Sequence, residues 1–227
     1  MSQTRPALDS AEAAPAAAKG SAGRGLLLER AAAGLAHEGK NPLHTMALHL
    51  HLLADKLARQ LPGEASMERH AQALRDGIGK VDALLRAFAD LAAPANAEPD
   101  LGGALQRALL LFAYEARRTG GIVAEPRGVR VARVDAPGSV LSDLVAHAVL
   151  AAVTLSRGGG TISTDLRAGE TRAELVVESH GGAGEQSEAA PHVDAVRRLS
   201  LDLGAELSIA ASAVGSARLS ISLPRAR

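Results

Sequence analysis

The sequence predicts an α+β fold, in which an antiparallel helical hairpin precedes a two-layer α/β sandwich. Two observations predict this class. Apolar residues recur every three or four positions between Leu26 and Phe88, which is the period of amphipathic helices. Beyond Leu101, short strand-like segments and turn residues are interspersed with helical segments. That mixture is typical of a sheet covered by helices.

Composition limits the functions that the chain can have. It has 227 residues, of which 47% are hydrophobic and only 1% aromatic, and its formal net charge is zero. With no strong field and few rings for base stacking, nucleic acid is not expected as a partner. The absence of cysteine fits a cytoplasmic protein. The longest apolar run, Ala148–Val153, is too short to span a bilayer, and no signal-peptide pattern is present, so no membrane contact is expected.

The first part of the chain is predicted to be a tail followed by two helices. Residues 1–24 have no periodicity and are rich in Ala, Ser, Gly and Pro, so they are predicted to be a disordered tail. Leu26–Leu61 is predicted to be a helix, and Ser66 is the predicted N-cap of a second helix that reaches Phe88. Residues 25–93 then form the hairpin. Its apolar stripes predict a homodimer in which two hairpins make a four-helix bundle.

The second part of the chain is predicted to be the sandwich. Residues 94–100 are a linker, because two prolines stop the preceding helix. Residues 101–227 form the sandwich itself. Its predicted helices are Leu101–Arg118, Ser139–Leu155 and Val193–Leu203. Its predicted strands are Gly121–Glu125, Val129–Val134, Thr161–Leu166, Thr171–Glu178, Glu206–Ala211 and Ala217–Leu223.

The strongest candidate site is the string His37-Glu38-Gly39-Lys40-Asn41-Pro42-Leu43 in the first helix. Pro42 has no N–H, so it loosens the helical turn that carries His37. A nucleophilic side chain beside a carboxylate in a weakened turn favours chemistry over a solvated surface histidine. A metal site through His37, His44 and His51, spaced by seven, is a weaker alternative. No cysteine or carboxylate cluster accompanies these histidines, so no metal is expected.

This string resembles the histidine box of bacterial sensor histidine kinases. The hairpin that carries it resembles their dimerisation and phosphoacceptor domain. The order of predicted elements from Leu101 to Pro224 is similar to that of their ATP-binding domain. The resemblance implies a catalytic core of the histidine-kinase type, with a four-helix bundle beside a two-layer sandwich.

The resemblance also implies roles for the box residues. His37 would be the phosphorylated residue, and Glu38 would orient or deprotonate its ring. Asn41, one helical turn after His37, would place an attacking water on the acyl phosphate of a partner. Lys40 would help to neutralise a phosphoryl group. Gly39 departs from the family, which usually has an apolar residue there, and makes the turn more pliable.

The chain departs from the family at the nucleotide-binding positions. His147, four residues after Asp143, stands where the family has an asparagine that helps to hold the metal ion. His180 replaces the aspartate that pairs with the adenine amino group, so a charged acceptor is lost. Gly182 and Gly184 remain from the glycine pattern that follows. These positions are therefore predicted to be degenerate, and no cofactor is expected on them.

The second glycine box of the family is also missing. Ala189–Val193 stands in its place without a glycine, so side chains would block the approach of backbone N–H groups to phosphates. The segment before it leaves little room for an ATP lid. ATP is therefore an unexpected ligand. Magnesium is expected on a partner receiver domain rather than on this chain.

An intact histidine box beside degenerate ATP positions predicts a dimeric histidine phosphotransferase of two-component signalling. It would move phosphoryl groups between His37 and receiver-domain aspartates of response regulators, and a cognate histidine kinase is a further candidate partner. One alternative is an active ATP-dependent kinase with divergent nucleotide positions. A second is a non-catalytic pseudo-kinase that acts as an adaptor or inhibitor. Each alternative retains the same helical hairpin.

Overall fold

The computed structural model describes residues 13–59, 64–92, 98–211 and 216–226. Within these ranges five helices and six strands form, and the predicted α+β class is confirmed. The helices are α1 (Ala13–Ala58), α2 (Glu64–Ala92), α3 (Leu101–Arg118), α4 (Gly138–Leu155) and α5 (Gln186–Asp202). The strands are β1 (Ile122–Val123), β2 (Arg127–Gly128), β3 (Thr161–Ala168), β4 (Arg172–His180), β5 (Glu206–Ala211) and β6 (Ala217–Pro224).

The first helix begins earlier than the sequence predicts. A disordered tail is predicted for residues 1–24, but α1 begins at Ala13. This segment is rich in alanine, which has the highest helix propensity of all residues. Pro15 lies in the first turn, where its missing N–H has no helical acceptor to lose. The predicted tail is therefore helical from Ala13 onward, and residues 1–12 lie outside the described part of the chain.

The second helix also begins earlier than predicted. α2 starts at Glu64, so Ser66 lies within the helix and is not its N-cap. The Pro-Gly break before it falls in residues 60–63, and most of the predicted linker falls in residues 93–97. Both segments lie outside the described residues.

α1 and α2 form the antiparallel hairpin that the sequence predicts. Met46 lies against Gly77, and Nδ1 of His49 lies 2.9 Å from Nδ1 of His70. A Cβ at position 77 would lie 2.4 Å from Cγ of Met46, so the Met46 side chain would have to move to admit it. This close approach brings the two helices together just beyond the histidine box.

The sheet has the strand order β1-β3-β4-β6-β5, and β2 also pairs with β3. β1 and β2 run parallel to β3, and the other neighbours are antiparallel. The predicted strand Val129–Val134 is wrong, since only isolated bridges form at its end. Its backbone pairs with the start of α3 instead: the Ala132 N–H donates to the Asp100 carboxylate (2.7 Å), and the Ala132 carbonyl accepts from the Leu101 N–H (2.9 Å).

Helices α3, α4 and α5 cover one face of this sheet. Alternate strand residues are buried against them, which gives the predicted two layers. Among the described helices, only α4 is long and apolar enough to cross a membrane, and 78% of that stretch is buried inside the fold. Such burial is typical of the central helix of a core.

One hydrophobic core joins the hairpin to the sandwich. Leu27 and Ala31 of α1 are 0% exposed, and Ala87 and Leu91 of α2 are buried in the same cluster as α3 and α4. Burying one leucine contributes about 2 kcal/mol. The hairpin is therefore packed against the sandwich and not merely tethered to it.

α1 crosses α3 most closely at Gly34. A Cβ at this position would lie 2.2 Å from the carbonyl oxygen of Leu111, and backbone cannot move aside as a flexible side chain can. Gly34 lies one helical turn before His37, so this crossing sets how near the histidine box comes to α3.

We expect Gly34→Ala to destabilise the protein by about 1–3 kcal/mol, because α1 must move away from α3. Gly25→Ala is the matched control on the same helix, since a Cβ there would meet nothing within 4 Å. That variant should gain up to about 1 kcal/mol from helix propensity. Urea unfolding measures both free energies. Equal stabilities of the two variants would contradict the close crossing.

Candidate functional site

His37 lies on the side of α1 that faces α3. Its ring stacks on the ring of Tyr114, with the ring centroids 3.8 Å apart and the ring planes 26° apart. The stack covers a face of the imidazole, whereas the lone pair of a ring nitrogen lies in the ring plane. His37 is otherwise exposed. The contact therefore fixes the orientation of the ring and leaves its edge accessible.

Glu38 pairs with Arg117 of α3 and not with the adjacent His37. Nη2 of Arg117 donates a hydrogen bond to Oε1 of Glu38 in an ion pair. Tyr114 and Arg117 lie one turn apart on the same face of α3. These four residues, His37, Glu38, Tyr114 and Arg117, form what we call the α1–α3 clasp. Sequence reasoning missed both α3 residues, whose only signal is their spacing of three in a predicted helix.

The other box residues face solvent or a groove. Asn41 and Lys40 are exposed. Asn41, Pro42 and Glu38 line a groove of about 540 Å³ between α1, α2 and α3. α1 continues through Pro42, whose missing N–H leaves the Glu38 carbonyl without its helical donor. A Cβ at Gly39 would meet nothing within 4 Å, so no neighbouring group packs against the space that a side chain there would occupy.

The structure brings together two histidines at positions that the sequence analysis predicted to belong to a degenerate nucleotide site. Nδ1 of His147 lies 3.0 Å from Nδ1 of His192, and the two residues are 4% and 1% exposed. α5 begins at Gln186, earlier than the predicted start at Val193. The string Ala189–Val193 therefore lies within α5. Its residues Ala189 and His192 are buried, and His192 contacts His147 of α4. Sequence reasoning missed His192 although it quoted the string.

Both buried histidines are held in the neutral form. Burial lowers the pKa of His147 to about 3, and the nearby His192 and Arg198 act in the same direction. Burial lowers the pKa of His192 to about 4. One Nδ1 must then donate to the other. Nε2 of His192 has no partner among the described residues. A buried N–H without an acceptor is rarer than a buried acceptor without a donor. We therefore leave Nε2 of His192 unprotonated and assign the donated proton to its Nδ1.

His180 lies away from this pair. It ends β4 with 54% of its side chain exposed, and its Nε2 is 3.5 Å from Oε2 of Glu178. Glu178 also binds Arg218, at 3.2 Å. Side chains alternate along a strand, so these residues lie on the sheet face opposite to buried Val177. The structure therefore does not bring His180 and His147 together.

The two retained glycines serve packing against α4. A Cβ at Gly182 would lie 2.0 Å from the Leu155 carbonyl oxygen, and a Cβ at Gly184 would lie 2.0 Å from the Thr154 carbonyl oxygen. The loop after β4 can approach the end of α4 only with glycine at these two positions. Their presence therefore has a structural explanation that requires no phosphate.

Asp143, the last of the five positions predicted to be degenerate, is bound by α1. Arg24 forms an ion pair with its carboxylate and also donates from Nη2 to the Leu91 carbonyl (3.0 Å). Burial raises the pKa of the Asp143 carboxyl, and the charge of Arg24 opposes that rise. Asp143 thus holds α1 against the sandwich.

The ATP implied by the resemblance does not fit these residues. His147 offers no side-chain amide to a metal ion, and its Nδ1 is engaged by His192. The backbone of Gly182 and Gly184 is packed on α4. At the start of α5, where the resemblance implies a glycine beside the phosphates, the chain has Ala189, whose side chain is buried. These positions are occupied by interactions within the protein.

The histidines proposed as an alternative metal site do not converge. His44 and His51 are exposed on α1. Within residues 13–59, 64–92, 98–211 and 216–226, no group of three or more His, Asp or Glu side chains is placed to hold a metal ion.

Comparison with known proteins gives likenesses of fold only. No protein-family model matches the sequence, and no curated protein sequence matches it significantly. Similar solved structures include the catalytic domain of histidine kinase ThkA, at 14% identity over 56% of this chain and 94% of that chain, with a TM-score of 0.48. Acinetobacter baumannii histidine kinase AdeS is 12% identical over 84% of this chain and 98% of that chain, with a TM-score of 0.46. A bacterial phosphotransferase is 18% identical over 96% of this chain and 100% of that chain, with a TM-score of 0.43.

We expect acid to destabilise the protein through His147 and His192. Their pKa values in the unfolded chain are about 6.5, above the folded values of about 3 and about 4. Below pH 6.5 or so the unfolded state binds more protons. The free energy of unfolding therefore falls as the pH drops toward about 4, by at most about 1.4 kcal/mol per pH unit for each histidine.

Urea unfolding at a series of pH values from about 7.5 to about 4.5 measures this slope. The double variant His147→Leu/His192→Leu should have a flatter dependence than the wild type. His44→Gln, which removes an exposed histidine, is the control and should keep the wild-type slope. Parallel curves for the wild type and the double variant would show that the buried pair is not the cause.

Proposed function

We propose that this chain is a dimeric histidine phosphotransfer protein of two-component signalling. His37 would accept a phosphoryl group from the aspartate of a response-regulator receiver domain and pass it to the aspartate of another. One observation carries the proposal. The histidine box is intact at the surface, while His147 and His192 bind each other at the positions that the family uses for ATP.

The chemistry requires little more than alignment. A lone pair of a His37 ring nitrogen attacks phosphorus, the N–P bond forms, and the P–O bond to the receiver aspartate breaks as its carboxylate leaves. The stack on Tyr114 fixes the plane in which that lone pair lies. Magnesium on the receiver would neutralise charge on the transferred group. Glu38 would orient or deprotonate the ring, and Asn41, which lines the groove, would orient an attacking water for hydrolysis.

A homodimer is part of this proposal. The hairpin exposes large apolar side chains along one stripe of each helix, and a stripe of this kind is normally covered by another helix pair. Their exposed fractions lie between 53% and 61% at Leu43, Leu50, Leu57, Ile78 and Leu85. Two hairpins packed through these stripes would complete a four-helix bundle.

A non-catalytic adaptor is the second candidate. It is favoured by the engagement of Glu38 with Arg117, which draws the carboxylate away from the histidine that it would assist. An adaptor should bind its partners equally well when His37 is replaced by alanine. Phosphoryl transfer that depends on His37 distinguishes the two candidates.

We expect a phosphorylated receiver domain to label the wild-type protein and not the variant His37→Gln. His44→Gln is the matched control, because His44 is another exposed histidine on the same helix, and it should be labelled like the wild type. Acid-labile, alkali-stable radiolabel on the protein measures the transfer. Label that persists in His37→Gln would mean that another residue accepts the phosphoryl group.

We expect no autophosphorylation from Mg-ATP and no heat of Mg-ATP binding in calorimetry at micromolar protein. The physical reason is that opening the nucleotide region would break the hydrogen bond between His147 and His192 and expose buried core. Micromolar binding by the wild type would favour the active-kinase alternative.

A further inference from the structure

We propose that Arg117 binds the phosphoryl group on His37, exchanging its contact with Glu38 for phosphoryl oxygens. This inference rests on the proposed function and adds a residue that the histidine box does not contain. Arg117 belongs to α3, on the other side of the α1–α3 clasp. Its ion pair with Glu38 holds it against the residue that follows His37 before any phosphoryl group arrives.

The clasp places Arg117 of α3 beside the histidine box, in contact with Glu38. A group bonded to a ring nitrogen of His37 lies in the plane of the imidazole, and Tyr114 covers a face of that ring. Arg117 is one turn beyond Tyr114 on the same face of α3. It contacts the residue directly after His37, so its guanidinium lies within a side chain's reach of a group on that ring.

The charges favour the exchange. Arg117 has Glu38 as its sole ion-pair partner within the described residues, and 58% of its side chain is exposed, so most of its five N–H donors remain available. A phosphoryl group adds a charge of about −2 and three acceptor oxygens, which is a stronger anion than one carboxylate. Guanidinium also binds phosphate through two parallel hydrogen bonds, which a lysine cannot do.

The neighbouring arginine does not compete for this role. Arg118 donates two hydrogen bonds to the Glu115 carboxylate, at 2.9 and 2.7 Å. This contact lowers the pKa of Glu115, with the hydrogen bond from Arg118 as the main cause. Arg118 is therefore engaged within α3, and it provides a matched control with the same charge.

The test compares Arg117→Gln, Arg117→Lys and Arg118→Gln in the full chain with a phosphorylated receiver. The measurements are the equilibrium ratio of phosphohistidine to receiver phosphoaspartate and the hydrolytic half-life of the purified phosphoprotein. We expect Arg117→Gln to lower the ratio about tenfold, as is usual for a lost hydrogen bond to a charged group. The ratio for Arg117→Lys should lie between those of Arg117→Gln and the wild type, and the ratio for Arg118→Gln should equal that of the wild type. An unchanged ratio and half-life in Arg117→Gln would overturn the inference.

A second arm separates binding of the phosphoryl group from mere support of Glu38. Glu38→Gln frees Arg117, so the equilibrium ratio should stay at or above the wild-type value even if transfer is slower. Adding Arg117→Gln to Glu38→Gln should then lower the ratio about tenfold. If Glu38→Gln alone lowers the ratio as far as Arg117→Gln, and the double variant no further, Arg117 acts only through Glu38 and the inference is overturned.

These outcomes distinguish the inference from the proposed function. If the wild type and Arg118→Gln accept no phosphoryl group from the receiver, phosphotransfer itself fails, and this inference with it. If both accept it and Arg117→Gln behaves identically, phosphotransfer stands and only the role of Arg117 is lost.

Discussion

The packing of α1 against α3 and α4 is the contact on which the rest of the structure depends. Leu27 and Ala31 enter the core of the sandwich, Arg24 binds Asp143, and Gly34 admits the Leu111 carbonyl. Because α1 is one continuous helix, these contacts place His37 opposite Tyr114 one turn later.

The pair formed by His147 and His192 joins α4 to α5 inside the core. Two polar residues buried at adjacent helices would be costly if unpaired. One hydrogen bond joins their Nδ1 atoms, and both rings remain neutral because burial lowers their pKa values. The hydrogen bond therefore ties α4 to α5 at two positions that the sequence analysis singled out.

Periodicity and turn residues predicted most of the fold, since α3, α4 and the long strands depend on local pattern. The errors have specific causes. Alanine propensity extended α1 to Ala13, and the Asp100 carboxylate diverted Val129–Val134 from the sheet. At the site, the histidine box was visible as a string. Tyr114, Arg117 and His192 were not, because their importance lies in contacts between distant segments that no local pattern encodes.

The central claim is that phosphoryl groups reach His37 from another protein and not from ATP. The direct measurement is the specific radioactivity of phospho-His37 after incubation with a ³²P-phosphorylated receiver in a large excess of unlabelled Mg-ATP. If the receiver is the sole donor, the specific radioactivity equals that of the receiver phosphoaspartate. Dilution of the label on His37 toward that of ATP would mean that the chain uses the nucleotide itself, and it would contradict the account.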